Sequence, residues 1–153
     1  MKDISNLEKD ITHIFGKITN GLVEVQRETA ENIMNDAKML APGTGEYRES
    51  IKVSETKFTE NSIETEIYTD ATVSTIDGTK YNLGYLLENG TSPHTILPKN
   101  SNTLVFEING ETIYAKKVNH PGTDAQPHFI PALQKNKFKY KKEIIKSILR
   151  GDK

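Results

Sequence analysis

The residues best suited to chemistry in this chain are three histidines, His94, His120 and His128, with Asp124 and Glu88 in the same stretch. Converging imidazole nitrogens and carboxylate oxygens would hold a divalent transition metal. Ser92 or Thr91 with His94 and Asp124 can instead be drawn as nucleophile, base and orienter, and a hydrolase acting through His94 or His120 would follow. Nothing in the spacing requires either geometry. No histidine of the three has helical metal-ligand spacing, and each adjoins a proline, in Pro93-His94, His120-Pro121 and Pro127-His128, a pattern of rigid turns. The chain lacks a phosphate-binding Gly-x-x-x-x-Gly-Lys-Ser/Thr, a dinucleotide Gly-x-Gly-x-x-Gly, a Gly-x-Ser-x-Gly elbow and a His-Glu-x-x-His. Without cysteine it has no thiol nucleophile, thiolate zinc site or disulfide. The expectation is a protein that is not an enzyme, with no catalytic residue, no metal and no cofactor.

A second chemistry lies in the charge. From Gln134 to Lys153 there are eight basic residues against Glu143 and Asp152, a net of +6, while the other 133 residues carry 12 basic and 19 acidic ones, a net of −7. Lys139, Lys142 and Lys146 belong to this basic end. Such a separation serves phosphate binding by counterion release, and equally head-to-tail attraction between copies. No aromatic-interleaved strand or helix-turn-helix accompanies the lysines, so sequence-specific reading of a nucleic acid is not expected.

These groups must be positioned by the elements the pattern encodes. At 153 residues with 35% hydrophobic and 27% charged, the chain is expected to form a single domain over 1–153. No apolar run is long enough for a membrane span, and Met1-Lys2-Asp3-Ile4-Ser5 lacks the apolar core of a secretion signal, so a soluble protein is expected. Apolar residues from Ile4 to Leu40 recur in steps of mostly three and four, predicting a helix over 1–40 that stops at Ala41-Pro42-Gly43-Thr44-Gly45. Thirty-seven residues would span about 55 Å, against a diameter of roughly 40 Å for a compact domain of this size. The helix must therefore overhang and meet a partner, or fold back at Gly16 or Asn20-Gly21.

From Glu49 the period changes to two. Ile51 and Val53, then Ile63, Thr65 and Ile67, read as antiparallel strands joined at Glu60-Asn61-Ser62, and a further strand over 71–76 would end at Asp77-Gly78. Thr103 to Val118 folds as a hairpin about Asn109-Gly110, placing Phe106 opposite Ile113 and Leu104 opposite Ala115. A last helix over 131–150 opens with Pro131 and carries Leu133, Phe138, Ile144, Ile145, Ile148 and Leu149. The order is α+β: a long helix, an antiparallel sheet of four to six strands with a hairpin arm over 49–118, and a C-terminal helix.

Three stretches in fixed order, Ala41-Pro42-Gly43-Thr44-Gly45-Glu46-Tyr47-Arg48-Glu49-Ser50-Ile51, Tyr81 to Thr91 with its Tyr85-Leu86-Leu87-Glu88-Asn89-Gly90-Thr91, and His120-Pro121-Gly122 to Pro131-Ala132-Leu133, carry a resemblance. Together with Ser92 to Lys99 and Tyr114 to Val118 they resemble the HK97 gene-product-ten-like family of tailed-bacteriophage minor structural proteins, with Gly43 standing where members carry an acidic residue. The resemblance implies a head-tail connector or tail-completion component of the virion, made in the host cytoplasm. It implies a ring, usually of six copies, touching neighbouring neck and tail proteins while packaged DNA passes without specific binding, and no membrane.

Glu88 to Lys99 reads as a loop arm rooted by Tyr85, Leu86 and Leu87 at one end and by Pro121-Gly122 at the other, with Gly90 giving a sharp reversal. The expected subunit or partner contacts are Glu88, Asn89, Gly90, Thr91, His94 and Lys99 on this arm, Asn109 and Gly110 at the hairpin, and Lys139, Lys142 and Lys146 on the last helix. The alternative is a small nucleic-acid-binding module working through that basic helix.

Overall fold

A computed structural model describes residues 4–43, 45–75, 78–99 and 101–150. The apolar stripe folds as one uninterrupted helix, α1 (Ile4–Leu40), and neither Gly16 nor Gly21 breaks it. Gly16 has nothing within 4 Å of where a Cβ would stand, whereas a Cβ at Gly21 would lie 2.3 Å from Ser147 Oγ. The second glycine thus permits a close helix crossing, and of the two alternatives open to so long a helix, overhang or fold-back, the unbroken one is found. Beyond α1 come α2 (Gly45–Ser50), the strands β1 (Ile51–Val53), β2 (Lys57–Phe58), β3 (Ile63–Glu64), β4 (Ile67–Thr69), β5 (Thr72–Ser74) and β6 (Lys80–Asn82), then α3 (Leu83–Asn89). The chain continues through β7 (His94–Ile96), β8 (Leu104–Ile108), β9 (Glu111–Ala115) and β10 (Val118–His120) into α4 (Phe129–Arg150).

The α+β order is the expected one. Among the described residues the strands form five two-stranded antiparallel ladders, β1-β4, β2-β3, β5-β6, β7-β10 and β8-β9, in place of one sheet of four to six strands. The chain falls into two compact units, Met1–Asp70 with His128–Lys153, and Ala71–Pro127. The division follows from where buried apolar side chains occur. Ala30, Ile33, Ala37, Ala41, Tyr47, Ile51 and Ala132 are buried in the first unit, and Leu104 in the second.

In the first unit α1 packs on α4, and a broken hairpin follows α2. Val53 pairs with Ile67 and Lys57 with Glu64. Three residues therefore separate the ladders on one strand and two on the other, so Ser54 to Thr56 contain a bulge. Ser54 accommodates it: its backbone N–H donates to Glu66 O at 2.9 Å, and its hydroxyl accepts from Glu66 N at 2.9 Å. Ile63, Thr65 and Ile67 are half-buried while Glu64, Glu66 and Tyr68 are exposed, the alternation a one-sided ribbon needs.

The second unit holds three ladders and α3. Phe106 pairs with Ile113 and Leu104 with Ala115, the expected register. Asn109 and Gly110 have φ of 53° and 84°, the two positive values a type I′ turn requires. The strand expected over 71–76 is β5, paired with β6 and closed by Gly78 N donating to Thr75 O at 2.9 Å; Ile76 and Asp77 lie outside the described residues.

Candidate functional site

The stretches that stand out in the sequence form two joints. In the first unit, Ala41, Tyr47 and Ile51 are buried. Tyr47 Oη lies 2.7 Å from Nε2 of His128, which is completely buried just before α4. Ser50 Oγ donates to Tyr47 O at 2.6 Å and so accepts from the Thr69 hydroxyl, also 2.6 Å away. Arg48 Nε donates to Ala41 O at 3.0 Å, placing a cation at the negative end of α1 beside Lys38 of its last turn. One joint thus ties the end of α1, the start of β1 and the start of α4.

The other joint lies within the second unit. Asn82 Oδ1 caps α3 by accepting from Tyr85 N at 2.9 Å, and Gly90 ends the helix with φ 68°. Next, Thr91 N donates to Thr123 O at 2.9 Å, and Thr123 N donates back to Thr91 O at 3.0 Å. A Cβ at Gly90 would stand 2.4 Å from Thr123 O, and one at Gly122 would stand 2.3 Å from Thr91 O. Each glycine makes room for the other strand's carbonyl, so the pair works as a reciprocal clasp. Gln126 N, donating to Leu87 O at 2.7 Å, closes it.

This corrects the picture of a structureless arm. Residues 83–89 are helix, with Tyr85 68% exposed, and 94–96 form a strand in register with 118–120. Glu88, Gly90 and Thr91 are half-buried at the clasp, whereas Asn89, His94, Lys99, Asn109 and Gly110 are exposed. The Asn89 amide is tied back to Tyr85 O at 2.9 Å.

The histidines are held in these joints. His94 and His120 are cross-strand partners whose rings stack with centroids 5.0 Å apart. His94 Nδ1–H donates to the Ser92 carbonyl at 2.9 Å, so a backbone oxygen occupies the place a carboxylate orienter would take in a triad. His120 Nδ1 accepts from Gly122 N at 3.0 Å, which puts the proton of the neutral ring on Nε2. His128 belongs to the other unit. Among the described residues no three histidine or carboxylate side chains are grouped to hold a metal.

The largest departure from globular economy lies on the helices of the first unit. Asp36 accepts from Lys135 Nζ at 2.6 Å and from Asn136 Nδ2 at 2.7 Å. Tyr140 Oη donates to Gln26 Oε1 at 2.7 Å, and Gly21 faces Ser147. These pairs make α1 and α4 antiparallel, with Lys135 and Asn136 holding the Asp36 carboxyl below the ordinary aspartate range by hydrogen bonds. The face that α4 turns to α1 is thus Ala132, Asn136, Tyr140 and Ser147, small or polar. Three of its bulky apolar residues stand elsewhere: Phe138 is 81% exposed, Ile145 58% and Leu149 63%. Lys139 and Lys142 are exposed beside them, and Lys146 pairs with Glu143 at 2.7 Å.

On α1, every residue from Ser5 to Lys17 is exposed. Leu7, Ile11, Ile14 and Phe15 form an apolar stripe there that no part of its own unit covers. The comparison of helix length with domain diameter left overhang and fold-back open, and the unbroken helix takes the first. The outward ridge of α4 was missed; its signal was the run of Ala132, Asn136, Tyr140 and Ser147 at helical spacing, which marks the inner face. No helix among the described residues is long and apolar enough to cross a membrane. Comparison with family models, curated proteins and solved structures finds no match for this chain.

Proposed function

We propose that this chain is a non-enzymatic structural protein of a tailed-bacteriophage virion, a connector or tail-completion component that assembles with copies of itself as a ring at the head-tail junction. The observation that carries the reading is the unpartnered apolar surface of the first unit: the α1 segment from Ser5 to Lys17 and the α4 ridge of Phe138, Ile145 and Leu149. Apolar surface of this extent on a chain this size belongs to an interface. The ordered resemblance of the three sequence stretches supplies the phage context, and their residues here serve as joints, Tyr47-His128 and Gly90-Gly122, which suits a part built to hold shape.

Disrupting the gene in the phage that encodes the chain tests the reading. Filled heads and separate tails should accumulate, and the purified protein should restore joining when added back. Normal infectious virions from the disrupted genome would end it. A second reading, a nucleic-acid-binding module, draws on the exposed lysines Lys139, Lys141 and Lys142 of α4.

A further inference from the structure

We infer that the α1 overhang of one copy seats on the outer α4 ridge of a second copy of this chain. The inference rests on the ring-forming reading and names the surfaces by which neighbours would join. Around a helix of 3.6 residues per turn, Leu7, Ile11, Ile14 and Ile18 share one side with Phe15 beside them, and Glu8 and Asp10 border that side to left and right. Lys9 and His13 lie behind it, and Lys17 stands at its inner end. On α4, Phe138, Ile145 and Leu149 likewise share one side, with Lys142 between them and Lys141 and Lys146 to either hand. Phe138, Lys141, Lys142, Ile145 and Lys146 line a shallow groove of about 440 Å³. An apolar strip with acidic margins thus matches an apolar seat with basic ones.

Lengths and partners agree with this match. The overhang of residues 4–17 measures about 21 Å and the ridge from Phe138 to Leu149 about 18 Å. Glu8, Asp10, Lys141 and Lys142 make no ion pair with another described residue, and all four are exposed. The overhang cannot reach the ridge of its own chain. Unbroken, it runs past the end of α4, whose ridge is turned away from α1. Only another copy can bring the two together. Because donor segment and seat are different surfaces, each copy gives one and receives one, the head-to-tail arrangement that closes as a ring when the rotation permits.

The cysteine-free chain allows a direct test. Ile11→Cys and Ile145→Cys variants are each checked for native circular dichroism, mixed in equal amounts and oxidised. The mixed disulfide dimer should form about tenfold faster than either variant with itself, and about tenfold slower when the first partner also carries E8K and D10K. Adding K141E and K142E to the second partner should recover the rate. Mixed dimers no faster than the self-pairs, or faster capture of Ile11→Cys by Leu133→Cys on the adjoining groove, would overturn the inference. Light scattering on the unmodified chain separates the two failures: self-association without the mixed disulfide overturns this seat and leaves the ring reading standing, whereas a chain that neither associates nor cross-links defeats both.

Discussion

Gly90 and Gly122 hold positions no other residue type fills without damage, because each combines a positive φ with a neighbouring carbonyl closer than any Cβ tolerates. Replacing either by alanine should destabilise the second unit by at least about 1–3 kcal/mol. Amide hydrogen exchange checks the cause: protection at Thr91 and Thr123, whose N–H groups make the two cross-strand bonds, should fall before protection in the hairpin about Asn109-Gly110. Gly16 is the opposite case. It lies in mid-helix with open space around it, so Gly16→Ala should raise stability by up to about 1 kcal/mol, read as a higher melting temperature with increased helical ellipticity. Glycine in this chain thus has separate meanings, and only the spatial neighbour distinguishes them.

Among the elements, the α1-α4 pair is one whose stability should follow pH. The folded-state pKa of Asp36 is lowered by the hydrogen bonds from Lys135 and Asn136, so its contribution is fully present above the unfolded aspartate value and is lost as pH falls through the folded one. Asp36→Asn should therefore cost about 1 kcal/mol near neutrality, modest because Lys135 is exposed, and the difference from the parent chain should vanish in acid. Urea titrations at a series of pH values measure it. These elements also show how much of the fold was legible. Periodicity marked α1, the α+β order and the hairpin register, because side chains at those positions alternate with local geometry. It was silent on the bulge at Ser54, on β7 pairing β10 and on the clasp, since these depend on residues brought together across long loops. It marked α4 as apolar but could not say which side faced α1; hydrogen bonds to Asp36 and Gln26 decide that, and they come from an asparagine and a tyrosine.

For the whole molecule, a near-neutral total conceals a basic C-terminal end and an acidic remainder. A chain whose lysines are meant for a neighbour's acidic margins should bind free duplex DNA weakly. Fluorescence titration should give no saturation in the micromolar range at about 150 mM salt, whereas a dedicated binder would keep micromolar affinity there and lose it steeply as salt rises. Of the candidate contacts, the lysines of α4 were named from composition, while Leu7, Ile11 and Ile14 were visible as a helical stripe whose exposure only three dimensions reveal. The clasp has one more consequence. Because the entering and leaving chains are already bonded at Thr91 and Thr123, the closure entropy of everything between them is met at that point, and the excursion behaves as a replaceable cassette. Its outer turn at Asn109-Gly110, exposed, becomes the place to graft an epitope or a reporter peptide.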